Sequence, residues 1–125
     1  MPRATERIGR AGEYLAASFL SRISDTVMVV PHSSEADIIF EHENKLYKVQ
    51  VKTKSKIDKH RINWRFDMRR GSHSKVRGYD DGAIDIFAFV SLKYMNIIFT
   101  LPTGQNQLTI ADEHIKNNDP IKNIL

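Results

Sequence analysis

The sequence predicts an α/β (α+β mixed) fold in which a central mixed β-sheet is flanked by helices, and three observations carry this. An amphipathic segment with helical spacing opens the chain, short β-branched and aromatic runs follow it, and an acid-led helical segment comes near the end. At 125 residues the chain has the length of one domain, read here as 1–125, which buries roughly 65% of its unfolded surface.

Each element has its own signal. From Thr5 to Ile23, the positions Ile8, Ala11, Gly12, Leu15, Ala16, Phe19 and Ile23 recur at intervals of three and four, with Thr5 placed to cap the start. Val27 to Val30 and Ala36 to Phe40 read as strands on either side of the polar turn His32-Ser33-Ser34. After a turn at His42 to Asn44, Leu46 to Thr53 alternates, with Val49 and Val51 on one face and Lys48, Gln50 and Lys52 on the other. Ile62, Trp64, Phe66 and Met68 form an apolar row opposite Arg61, Arg65 and Arg69. Gly71 to Gly82 has turn residues and no period, and reads as a mobile loop. Ile84 to Ser91 and Met95 to Leu101 have the composition of core strands closed by Pro102-Thr103-Gly104. Leu108 and Ile110 suit an edge strand, and Ala111 to Asn117 a short helix led by Asp112 and Glu113.

Composition removes whole classes of function. With 41% apolar and 27% charged residues the chain is neither disordered nor a membrane protein, and Lys93 interrupts its longest apolar stretch, Ile84 to Leu101. The absence of cysteine excludes disulfides, thiolate metal sites and thiol nucleophiles. Met-Pro-Arg-Ala-Thr-Glu-Arg lacks the apolar core of a signal peptide, so a cytoplasmic, intracellular protein is expected. The formal charge of +4 is unevenly spread. Lys52 to Arg77 holds ten basic residues against two acidic ones, a local +8 that leaves −4 elsewhere. Such a segment suits a face for phosphates, with a solvated charged loop as the alternative.

A strand face bearing Gln50 and Lys52 gains chemistry if a carboxylate reaches it. If Ala36 to Phe40 pairs antiparallel with Leu46 to Thr53, Asp37 comes across from Gln50 to Lys52. Phosphodiester hydrolysis needs oxygen ligands for a hard cation, an activated water and positive charge at the phosphoryl group. Asp37, Gln50 and Lys52 offer these in one patch, and Glu13, at the edge of the apolar helical stripe, is placed to project sideways into it. Taken singly, each also reads as an ordinary surface residue.

The order Gly12-Glu13, Asp37, then Gln50-Val51-Lys52 resembles the PD-(D/E)XK nuclease superfamily, and within it the small group I intron homing endonuclease type. Archaeal Holliday junction resolvases are also similar, through Gly9-Arg10-Ala11-Gly12-Glu13, and Tyr79 with Asp85-Ile86-Phe87-Ala88-Phe89 resembles a later strand of such proteins. Ala36 stands where the family has proline, and Gln50 where it more often has Glu or Asp. The resemblance implies a restriction-endonuclease-like core and Mg²⁺, with Mn²⁺ as a substitute, held by Glu13, Asp37, Gln50 and the Val51 carbonyl. It implies Glu13, Asp37, Gln50 and Lys52 as the catalytic set, with Lys52 orienting the attacking water. It further implies a double-stranded DNA substrate and a homo-oligomer, dimer or tetramer. Lys54, Lys56, Lys59, Arg61, Arg65, Arg69, Arg70, Lys75 and Arg77 are the expected DNA contacts. A Holliday junction resolvase and a catalytically silent DNA-binding module of the same fold stay open as alternatives.

Other residues point elsewhere. His32, His42, His60, His73 and His114 lack ligand spacing, and Ser33 and Ser34 lack a triad pattern. Trp64 and Phe66 read as packing residues, with base stacking as the alternative.

Overall fold

The opening helix starts earlier than its capping signal suggests. In the computed structural model, which describes residues 2–31, 35–68, 83–122 and 124, α1 spans Pro2–Leu20 and Ser21 to Ile23 form a turn. Proline suits a first helical turn because its missing N–H has no intrahelical partner there, so Thr5 lies inside the helix and caps nothing. Gly12, Ala16 and Leu20 are buried, while Ala11, expected in the apolar stripe, is exposed.

The strands are β1 (Val27–Val29), β2 (Ile38–His42), β3 (Lys45–Lys54), β4 (Asn63–Asp67), β5 (Ile86–Ser91), β6 (Asn96–Thr100) and β7 (Gln107–Ala111), followed by the helix α2 (Asp112–Asn117). The main sheet runs β1-β2-β3-β5-β6. β2 and β3 join through Glu43 and Asn44, both at positive φ (52° and 64°), the left-handed pair that a two-residue hairpin turn demands. β3 and β5 pair in parallel and the other neighbours antiparallel, so the sheet is mixed as expected. The expected turn at 32–34 and loop at 71–82 lie outside the described residues.

Two apolar layers sandwich this sheet. α1 covers one face, where Ala16 and Leu20 meet Ile38, Phe40, Val49, Val51 and the inward residues of β5 and β6. Phe87, Phe89 and Ile98 on the other face meet Trp64, Phe66, Ile110 and Ile115. Here the structure corrects the sequence reading. β4 does not join the central sheet but pairs with β7 in a separate two-stranded ribbon, Trp64 opposite Ile110 and Phe66 opposite Leu108. Ile62, expected in its apolar row, precedes the strand and is 83% exposed. Trp64 and Phe66 are buried, so packing is their role. A phenylalanine buried this way contributes about 1.5–3 kcal/mol of apolar transfer.

One close approach ties α1 to the sheet. A Cβ at Gly12 would lie 1.8 Å from Thr53 Oγ1, so only glycine lets the helix backbone settle on β3 here.

Candidate active site

β2 stops where β3 continues. Ile38 pairs with Val49 as the last register pair, whereas β3 runs on to Lys54 with β5 beside it. Ile38 packs beneath α1 but Ala36 packs in the opposite layer, although residues two apart in a regular strand share a face. The chain therefore turns over at Asp37. Its N–H donates to the Val49 carbonyl, its carbonyl accepts from Val30 N–H, and its side chain is delivered edge-on to β3.

That carboxylate is held firmly. Val51 N–H donates to Asp37 Oδ2 at 2.8 Å. In a strand the N–H and C=O of one residue point to the same side, so the Val51 carbonyl also faces the notch left by β2. The neighbouring residues point the other way, as Lys48 shows: its N–H donates to Asp85 Oδ2 at 2.8 Å and its carbonyl accepts from Asp85 N–H at 2.9 Å. Asp85 thus has a structural task, fastening the start of β5 to β3, which its place in the sequence did not reveal.

Gln50 and Lys52 lie on the β3 face turned toward the ribbon, with Phe87 and Phe89 as their β5 partners. Burial pushes the Lys52 ammonium below the ordinary lysine range, and the negative charges of Asp67 first and Asp37 second push it back up. Asp67, at the end of β4, was missed by the sequence reading. It sits in a basic stretch and in an alternating strand, and only the folding of the ribbon over β3 gives its charge a bearing on Lys52.

Glu13 lies on the other side of the sheet. Gly12 rests on Thr53, the residue after Lys52, so Glu13 follows on α1 at the sheet face away from Gln50 and Lys52. Glu13 and Asp37 are half-buried and both are engaged in contacts within the fold. Among the described residues no three His, Cys, Asp or Glu side chains group as a metal cluster. The oxygens that the structure sets at the notch are the Asp37 carboxylate and the Val51 carbonyl, hard oxygen ligands of the kind Mg²⁺ takes.

The expected DNA contacts divide. Lys54 Nζ lies 2.6 Å from Asp58 Oδ2, so that lysine has an acidic partner. The Lys54 hydrogen bond, with smaller contributions from Arg65 and Arg61, holds Asp58 below the usual carboxylate range, which gathers Lys54, Arg61 and Arg65 around one acid. Lys56, Lys59 and Arg61 are exposed and Arg65 half-exposed. Arg69, Arg70, Lys75 and Arg77, together with Tyr79, lie outside the described residues.

A solved bacterial homing endonuclease, I-Ssp6803I, superposes on this chain with a TM-score of 0.66, covering 93% of this chain and 81% of that one at 17% sequence identity. The fold resembles that of a homing endonuclease. No protein-family model matches the chain. No curated protein matches it either. The likeness to I-Ssp6803I thus rests on architecture, the mixed sheet with its flanking layers. No helix among the described residues is long and apolar enough to cross a membrane.

Proposed function

We propose that the chain is a Mg²⁺-dependent, site-specific endonuclease of double-stranded DNA, homing-endonuclease-like and working as a homo-oligomer. The observation that carries this reading is the Asp37 carboxylate fixed on Val51 N–H at the end of β2, next to a half-buried Lys52, in a fold like that of I-Ssp6803I. Asp37, the Gln50 amide oxygen, the Val51 carbonyl and Glu13 would hold the cation. When bound, the metal supplies Lewis acidity toward a phosphoryl oxygen and makes its water more acidic.

The chain's own residues do the rest. Val51 N–H fixes the orientation of Asp37 so that little reorganisation is needed at the moment of reaction. Lys52, protonated, hydrogen-bonds the attacking water and stabilises negative charge building on the phosphoryl oxygens. Its apolar flank, Phe87 and Phe89, strengthens that interaction by excluding solvent. The water gives up a proton to solvent as its oxygen forms a bond to phosphorus and the P–O3′ bond breaks, and solvent returns a proton to the leaving oxygen. A 5′-phosphate remains on the other strand end. One active site cuts one strand, so a double-strand break requires a second copy of the chain.

The test is incubation of purified protein with a plasmid library, with and without Mg²⁺, followed by sequencing of the ends. Discrete ends that depend on metal and vanish in Asp37→Asn and Lys52→Ala support the reading. Cutting unaltered in either variant, or no cutting at all, overturns it.

A further inference from the structure

The ribbon of β4 and β7 has an inner face closed by Trp64, Phe66 and Ile110 and an outer face that no packing explains. That outer face borders a concave groove of about 630 Å³, lined by Arg61, Ile62, Asn63, Arg65, Gln107 and Thr109 with His60 at its end. The charged residues that line it are Arg61 and Arg65, with Asp58 near both arginines and Asp67 opposite Gln107 at the far end of the ribbon. The side chains of Asn63, Gln107 and Thr109 make no hydrogen bond within the described residues, so their donors and acceptors stay available.

We propose that this outer face reads base edges in the major groove of duplex DNA beside the cleavage site, with Asn63 and Gln107 carrying the readout. The inference rests on the nuclease reading above and deepens it.

Shape, spacing, chemistry and position agree. A two-stranded ribbon is an element that the major groove, about 12 Å wide, admits. Outward residues of one strand, such as Asn63 and Arg65, are about 6.8 Å apart, close to two base-pair steps of about 3.4 Å. Amide side chains pair two-pronged with adenine N6 and N7, and arginine with guanine O6 and N7. Ile62, 83% exposed at the rim, offers an apolar contact for a thymine methyl. The ribbon also runs toward the chemistry. Asp67, opposite Gln107, bears on Lys52 from the end of the same strand.

The experiment selects bound and cleaved duplexes from a randomised library with the wild type, Asn63→Ala, Gln107→Ala and Gln107→Arg. The expected result is that each alanine variant loses about 10-fold discrimination at one or two adjacent base pairs and keeps its preference elsewhere. Gln107→Arg moves its pair toward guanine, a gain that a misfolded protein does not produce. Because Asn63 and Gln107 are uncharged, their removal leaves the salt dependence of binding as it was, whereas Arg65→Ala lowers its slope by about one. Variants that select the same sequences as the wild type overturn the inference. A wild type that cuts duplex DNA without selecting any sequence overturns it too, along with the site specificity of the nuclease reading, and leaves metal-dependent cleavage standing. A wild type that selects sequences through these residues but cuts none upholds the base-reading face and overturns the nuclease reading.

Discussion

Asp37 accepts a hydrogen bond from Val51 N–H at 2.8 Å, so its carboxylate is both a piece of the sheet and the proposed metal ligand. Two substitutions separate those roles. Asp37→Asn keeps a carbonyl oxygen for Val51 N–H, folds, and loses roughly 10²–10³-fold in single-turnover cleavage through its missing charge. Asp37→Ala loses as much cleavage and in addition strands the N–H of buried Val51, which costs about 1–3 kcal/mol in a denaturant melt. Cleavage retained by Asp37→Asn would sink the catalytic assignment. Equal stability of the two variants would sink the structural one.

Gly12 and Thr53 form a second coupled pair. Gly12→Ala drives a methyl group to 1.8 Å from Thr53 Oγ1, and relief requires α1 to lift from β3. The expected cost is about 1–3 kcal/mol, the range for overpacking, and cleavage falls with it because Glu13 moves with the helix. Thr53→Ala removes Oγ1, the nearest atom, and Cγ2 at 2.7 Å, keeps Cβ at 2.7 Å, and so recovers part of the loss. A double-mutant cycle in which the two changes simply add would show that the contact is not what limits the site.

The parts of this architecture written in local pattern were legible in the sequence. Leu46 to Thr53 alternates in plain view, and the Glu43-Asn44 turn is short enough to force β2 and β3 together, so Asp37 opposite Gln50 to Lys52 followed from pairing alone. The ribbon was not legible. Trp64 and Phe66 announce a strand with one dry face, but period two says nothing about which partner it takes, and β7 lies about forty residues further on. Ile62 misled for a related reason. Its residue type fits the apolar row, yet the chain at His60, with φ of 65°, turns before the strand begins and leaves Ile62 in solvent. Asp67 was hidden because its influence on Lys52 exists only through that distant pairing.

The role proposed for Lys52 makes it, with Asp67, the group that sets the alkaline limit of cleavage. Burial lowers the Lys52 value, Asp67 and then Asp37 raise it again, and the protonated ammonium is the form that stabilises phosphoryl charge. Cleavage is therefore lost as pH rises through the depressed lysine value, below the ordinary one of about 10.4. Asp67→Asn removes the larger of the two raising charges, so Lys52 releases its proton at lower pH and the alkaline limb moves to lower pH. Single-turnover rates across pH for the two proteins provide the check, and superimposed limbs would exclude Lys52 as the titrating group.

Asp112 ties the ribbon to the main sheet. It accepts hydrogen bonds from Trp64 Nε1–H at 2.8 Å and from the Tyr94 hydroxyl at 2.8 Å, and these two donors, Trp64 foremost, hold its carboxyl below the usual range. The folded value is depressed, so its stabilising contribution is complete above the ordinary carboxylate value of about 3.9 and disappears as pH falls through the lower folded value. Asp112→Asn retains an acceptor oxygen but carries no charge to lose. The wild type therefore melts at higher temperature than Asp112→Asn at neutral pH, and the two converge as the solution is acidified below about pH 4. A gap in melting temperature that stays constant with pH would mean that the Trp64 and Tyr94 hydrogen bonds do not depend on the ionised carboxylate.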